Sequence, residues 1–206
     1  MEISTSTRPR SFATDLLLRF PIKPHLRAME ILKRISPLPS PIGVELGVWL
    51  GKLSRALLMG HTGLTLHMVD SWAADGDDYL DPQGDPKAFK TRQEMADALD
   101  RATRATAFAA NRRIIRRAKT VDAAPGFANL GLDFVFVDAD HSYEGCKADI
   151  DTYWPKIKHG GWLCGHDYDR PNRPSFGVKR AADAFAAAVG SQVETGRNTT
   201  WFIRKP

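Results

Sequence analysis

Apolar residues recur along this chain with two periods, and the changes of period lay out its elements. Residues 42–46, 64–69 and 132–137 are short, nearly continuous apolar runs. That pattern belongs to strands covered on both faces in a parallel sheet. Residues 24–35 place Leu26, Met29, Ile31 and Leu32 at helical spacing, and Pro37, Pro39 and Pro41 then stop that helix and lead into the first strand. Further helices are predicted over 52–59, 89–110, 143–156 and 176–189. In the helices at 89–110 and 176–189, Met95, Leu99 and Ala102, and then Val178, Ala181, Ala182 and Phe185, fall on one side. Residues 12–19 read as a short helical piece. Residues 112–117 read as a short strand, and 120–130 as a helix-like connection broken by Pro125-Gly126. Gly160-Gly161 is expected to turn the chain into a strand at 162–165. Residues 192–194 and 199–203 close the chain as a hairpin around Gly196-Arg197-Asn198. The expected fold is α/β, a doubly wound, mostly parallel seven-stranded sheet with a C-terminal antiparallel hairpin. It spans residues 41–206 and is preceded by an arm and capping helix over residues 1–40.

Composition narrows the class without naming a substrate. The chain has 206 residues, 43% hydrophobic and 26% charged, ordinary values for one globular domain. Its formal charge of +5 permits an anionic partner but establishes none. The two cysteines, Cys146 and Cys164, have no metal-binding or redox spacing and are expected to be reduced core thiols. No apolar run approaches a membrane span. The first twenty residues carry Arg8, Arg10 and Arg19 like a transit peptide, but Glu2 and Asp15 argue against one. A cytoplasmic protein with a small-molecule substrate is expected, with no membrane partner, a homodimer through the arm as one option, and nucleic acid disfavoured. Arg112, Arg113, Arg116, Arg117 and Lys119 suggest a phosphate site or, preferably, an edge strand guarded by charge. Residues 71–88, rich in Asp, Gly and Pro, are a solvated acidic loop or a substrate lid.

Chemistry concentrates where strands end. The run at 132–137 stops in Asp138-Ala139-Asp140-His141, and the strand at 162–165 stops in His166-Asp167. Open α/β sheets bind ligands at the carboxyl edge of their strands. Neighbouring strands would thus gather Asp138, His141, His166 and Asp167, groups able to bind a metal or move protons. The first strand runs into Gly47 and Gly51, which allow a tight turn and a close ligand approach ahead of a helix N-terminus. Glu45 precedes that turn, and Asp70 closes the second strand about twenty residues later, where an acid can hold ribose hydroxyls. The plainer readings are an unliganded βα turn, a loop-capping Asp70, a hydrogen-bonded strand-end cluster without metal, and a structural His141 beside a capping Asp140 or Ser142.

The motifs VELGVWLG, FVFVDADHSYEGCKADIDTYW and GGWLCGHDY, with Asp70 between them, resemble those of class I S-adenosylmethionine-dependent methyltransferases, over roughly residues 40–206. The resemblance implies a Rossmann-like fold and S-adenosyl-L-methionine as cofactor. It implies that Glu45, Gly47, Gly51, Asp70 and Asp138 surround the cofactor, with Ser71 and Trp72 near the adenosine and residues 119–122 near the adenine. The spacing is also similar to metal-dependent O-methyltransferases, which implies a metal site of Asp138, His166 and Asp167 and His141 as general base. His166 departs from that pattern, where Asp or Glu is usual. Oxygen ligands suit Mg²⁺, whereas an imidazole shifts preference toward Mn²⁺, Fe²⁺ or Zn²⁺. The expected activity is O-methylation of a small hydroxylated metabolite, a sugar or phenolic. The rivals are a cephalosporin-hydroxylase-like metal-dependent oxygenase, a non-catalytic nucleoside-binding protein and an RNA methyltransferase.

Overall fold

The computed structural model describes residues 25–73, 91–173 and 176–206. The expected helical piece at 12–19 and most of the loop at 71–88 lie outside the described residues. Seven strands form one sheet: β1 (Ile42–Leu46), β2 (Thr65–Asp70), β3 (Arg113–Arg117), β4 (Leu132–Val137), β5 (Ile157–Gly165), β6 (Glu194–Thr195) and β7 (Trp201–Arg204). Their order is β3-β2-β1-β4-β5-β7-β6. The first five pair in parallel, and β7 joins antiparallel to both β5 and β6. The helices are α1 (Leu26–Ile35), α2 (Lys52–Gly60), α3 (Arg92–Ala105), α4 (Thr120–Ala123), α5 (Tyr143–Tyr153) and α6 (Val178–Ala188). The expected Rossmann-like sheet is present.

Two apolar clusters cover the two faces of this sheet. Alternate side chains of β4 serve each, as a strand's period of two requires. Phe134 and Phe136 pack with α1, α2 and α3 through Ala28, Ile31, Leu57 and Ala102. Val135 and Val137 pack with α5 and α6 through Ile150, Tyr153, Ala181 and Ala182. All of β4 is buried, which is why its sequence shows no alternation. The helix ahead of β1 is fixed at both ends of its length. Ala28, Ile31 and Ile35 are core residues. The Arg34 guanidinium lies 3.6 Å from the centre of the Phe202 ring and bonds Glu194 at 2.8 Å.

Three boundaries differ from the sequence expectation. The strand expected at 162–165 begins at Ile157, and Gly160-Gly161 lies inside it. Gly160 has φ +76°, and the pairing with β4 shifts register between Leu132 and Phe134. The two glycines therefore form a bulge, not a turn. The helix expected from 89 starts after Thr91, whose hydroxyl and Glu94 make a reciprocal capping box. It stops at Ala105, where the Thr106 hydroxyl donates to the Ala102 carbonyl at 2.8 Å. The hairpin strand expected at 192–194 is displaced to Glu194–Thr195.

The sheet order reverses between β1 and β4, and this switch point is where doubly wound sheets open a ligand crevice. Leu46 pairs with Val137, and Val137 with Gly165. Gly47, Asp138 and His166 are thus the next residues along one edge.

Candidate functional site

At that edge, two carboxylates and two imidazoles interlock. His141 Nε2 lies 3.0 Å from Asp167 Oδ2 and 3.6 Å from Asp138 Oδ1. His166 Nδ1 lies 3.0 Å from Asp167 Oδ1 and 3.5 Å from Asp138 Oδ1. Two guanidinia close the outer sides. Arg27 Nη1 donates to Asp138 Oδ2 at 2.5 Å, and Arg170 Nε is 2.6 Å from Asp167 Oδ1. Asp167 holds its position in a left-handed conformation, φ +58°, an unusual backbone for a non-glycine residue and one that clusters at functional sites.

Local sequence explains how each ring is aimed. Ser142 is the N-cap of α5, its hydroxyl accepting from Gly145 N at 2.9 Å, and Asp140 Oδ1 accepts from Ser142 N at 2.7 Å. That double cap leaves His141 pointing back over the strand end. Its ring stacks on Phe176 with centroids 4.5 Å apart and planes 3° from parallel. Gly177 N donates to its carbonyl at 2.8 Å. A Cβ at Gly177 would fall 2.3 Å from Tyr143 N, so a larger residue there would push α6 off the start of α5. His166 follows β5 directly, and its carbonyl accepts from the buried Trp201 indole at 3.2 Å.

Electrostatics follow from the geometry. Burial alone would favour neutral forms. For Asp138, hydrogen bonds from His141 and His166, with Arg27, overcome burial and lower it to about 2. Asp167 is likewise held far below the ordinary carboxylate range by the two histidines. Burial lowers His141, but bonds to Asp138 and Asp167 outweigh it and raise it to about 9. His166 is raised for the same reasons. Both rings are therefore drawn toward the cationic form.

The donor atoms of Asp138, His141 and Asp167 all lie within 4.8 Å of one another. Two carboxylate oxygens and an imidazole suit a divalent ion of the Mn²⁺ class, so the residues present fit such an ion. The imidazole in this group is that of His141, where the sequence pointed to His166. His166 turns Nδ1 toward both carboxylates, while its Nε2 is buried without a hydrogen-bond partner among the described residues.

The glycine turn meets the same edge. Gly47 has φ +83°, and a Cβ there would lie 2.2 Å from the Asp138 carbonyl oxygen. Glycine is thus required both by backbone conformation and by contact with β4. Gly51, at φ +68°, sits 2.9 Å from Ala102 Cα by the same measure and starts α2. Asp70 does not stand apart from the turn. Its Oδ2 accepts from Val48 N at 2.9 Å and Trp49 N at 2.8 Å, and its Oδ1 from Trp72 N at 2.8 Å. Glu45 is buried beneath the turn and accepts a hydrogen bond from the Ser54 hydroxyl of α2. Trp72, expected near an adenosine, is 1% exposed and packed in the core, its indole donating to the Trp49 carbonyl at 2.9 Å. Trp49, not singled out from sequence, is the exposed indole at this turn. Ser71 follows Asp70, and its carbonyl accepts from Arg117 Nε at 3.3 Å.

The arginine strand β3 is an edge strand, as expected, and guanidinia on it and at its entry have local partners. Arg112 bonds the Leu58 carbonyl at 2.6 Å at the end of α2. Arg116 lies 4.7 Å from the Phe127 ring centre and bonds His67 Nδ1 at 3.2 Å. Arg117 bonds the Ser71 and Trp72 carbonyls. Both cysteines are free and buried. Among the described residues no helix is long and apolar enough to cross a membrane.

Comparison with known proteins agrees with this architecture. No curated protein sequence matches the chain. Among solved structures, the O-methyltransferase NovP superposes with a TM-score of 0.61 at 20% identity, covering 87% of this chain and 78% of that one. The calicheamicin methyltransferase CalS11 superposes with a TM-score of 0.61 at 14% identity, covering 98% and 99%. A Bacillus cereus O-methyltransferase in complex with SAH gives a TM-score of 0.59 at 13% identity, covering 94% and 87%. At such identities the likeness concerns the fold. A family profile described as a methyltransferase domain matches residues 44–168, a range that holds the glycine turn, Asp70, Asp138, His141, His166 and Asp167. With more than half of its length in that match, and with the sheet order and strand-edge site to go with it, the chain belongs to the methyltransferase domain family.

Proposed function

We propose that this methyltransferase uses S-adenosylmethionine to methylate a hydroxyl of a small molecule, a sugar or a phenolic, with His141 as the general base. The observation that carries the reading is the placement of His141. Its ring is held between Asp138 and Asp167, backed by Phe176, at the strand edge where the glycine turn opens. Family membership supplies the methyl donor. The three O-methyltransferases of similar fold make oxygen the favoured acceptor atom.

The chemistry is an in-line displacement. S-adenosylmethionine bound at this edge would supply a sulfonium methyl for transfer to the acceptor oxygen, its carbon–sulfur bond breaking to leave a neutral thioether. The protein's work is to align the hydroxyl opposite that sulfur and to remove its proton. His141 removes the proton while Asp138 and Asp167, which hold one of its ring nitrogens, stabilise the imidazolium. The base must first be neutral, so turnover depends on the proton that the two carboxylates hold on the ring. A divalent ion on Asp138, His141 and Asp167 would supply Lewis-acid stabilisation of a developing alkoxide. One imidazole nitrogen cannot serve as base and ligand at once. With an ion on His141, the buried ring of His166 would be the other imidazole at the site.

The test is a panel of sugar and phenolic acceptors with S-adenosylmethionine, read as S-adenosylhomocysteine release. His141→Ala should lower turnover by about 10²–10⁴-fold, the usual range for a general base, and leave nucleoside binding intact. Equal turnover in wild type and variant would sink the assignment. Dioxygen consumption without thioether release would favour the oxygenase reading. The RNA reading draws little from β3 and its entry, where Arg112, Arg116 and Arg117 have local structural partners.

A further inference from the structure

We infer that Arg27 is a built-in cation that competes with a divalent ion for Asp138. The residue lies outside the matched family range of 44–168, on a helix that precedes the first strand. The two oxygens of Asp138 are divided between partners. Oδ1 faces His141 and His166 at 3.6 and 3.5 Å, and Oδ2 takes Arg27 Nη1 at 2.5 Å. Asp167 repeats the arrangement, with His141 on Oδ2, and His166 and Arg170 on Oδ1. Each carboxylate thus already has a guanidinium beside it. A divalent ion on Asp138, His141 and Asp167 would have to displace a guanidinium or accept its repulsion at close range, where few waters intervene to screen it.

The two arginines are not equivalent. The Arg170 side chain is 38% exposed, whereas that of Arg27 is 22% exposed. Arg27 is also delivered by a helix fixed in the core. Its neighbour Ala28, with Ile31 and Ile35, packs under β4, and Arg34 anchors the far end over Phe202. A guanidinium on such a support is already oriented, so little side-chain entropy is lost in holding the pair. Arg27 is therefore the stronger competitor. It sets how tightly this site takes a metal, and it substitutes for the metal in keeping Asp138 charged and oriented toward His141 when none is bound.

This inference does not rest on methyl transfer, and its test contains no methyl donor. Chelator-treated wild type, Arg27→Met and Arg170→Met are titrated with Mn²⁺ by calorimetry, with thermal melts in the same buffer. Methionine keeps an unbranched apolar stem and removes the charge. Arg27→Met is expected to bind Mn²⁺ at least tenfold more tightly than wild type, and Arg170→Met to show a smaller gain. If Arg27→Met does not fold, the neutral and hydrogen-bonding Arg27→Gln takes its place with the same expectation. Equal affinity in wild type and the Arg27 variant, or no Mn²⁺ binding by the folded variant, overturns the inference.

Discussion

Replacing Glu45 by Gln should stabilise the protein increasingly as pH rises. Glu45 is buried under the glycine turn, 2% exposed, with the Ser54 hydroxyl as its hydrogen-bond donor. Burial, helped by the nearby carboxylates of Asp138 and Asp70, raises it from 4.5 to about 8 against the opposing Ser54 bond. Below pH 4.5 the acid is protonated in folded and unfolded chains alike. Between pH 4.5 and pH 8 the unfolded chain releases the proton and the folded chain keeps it, so stability falls as pH rises. Above pH 8 both forms are ionised and the loss is complete. At up to about 1.4 kcal/mol per pH unit, the loss between pH 5 and pH 7 is about 2–3 kcal/mol. Glutamine is neutral in both states, keeps a carbonyl acceptor for Ser54, and escapes that loss. The assay is urea unfolding of wild type and Glu45→Gln at pH 5 and pH 7, where contributions from other titrating groups cancel in the difference. The stability gap should move in the variant's favour by about 2–3 kcal/mol between the two pH values. A gap that is independent of pH, or that moves toward the wild type, would refute the view of Glu45 as a buried neutral acid joining β1 to α2.

Three further perturbations probe the site's supports. Gly47→Ala places a Cβ against the Asp138 carbonyl at φ +83°, and strain of that kind costs about 1–3 kcal/mol before the clash is counted; urea unfolding and S-adenosylhomocysteine titration should both register it. Asp70→Ala removes the acceptor of three backbone N–H groups and should cost about 2–4 kcal/mol, with water replacing part of the loss; unchanged unfolding would show that the turn holds without it. Because His141 is raised to about 9, metal-free turnover should climb with pH toward that value as the neutral ring accumulates, and a profile flat from pH 6 to pH 9 would exclude His141 as the rate-limiting base.

The strands whose ends carry the site were readable because burial on both faces leaves an apolar run with a sharp polar stop, as at Val137-Asp138 and Val69-Asp70. What could not be read was governed by contacts distant in sequence. Gly160-Gly161 has the composition of a turn, and only the register of β5 against β4 makes it a bulge. Trp49 and Trp72 flank Asp70 on two loops. Both adopt positive φ, and nothing in their spacing says that Trp72 is the one buried. The pairing of Arg27 with Asp138 spans 111 residues, and no local pattern announces it. The strand-end histidines and carboxylates were found by position. That both rings face both carboxylates was not, because it depends on how the cap at Ser142 and the stack on Phe176 turn His141.

The central claim is that the glycine turn and the strand edge form a donor-binding methyltransferase site. Calorimetric titration of S-adenosylhomocysteine into chelator-treated wild type and His141→Ala tests it most directly. Saturable binding of one nucleoside per chain, equal in both proteins, is the predicted result, since His141 serves the acceptor and not the donor. Absence of nucleoside binding by the folded wild type would contradict the account at its root.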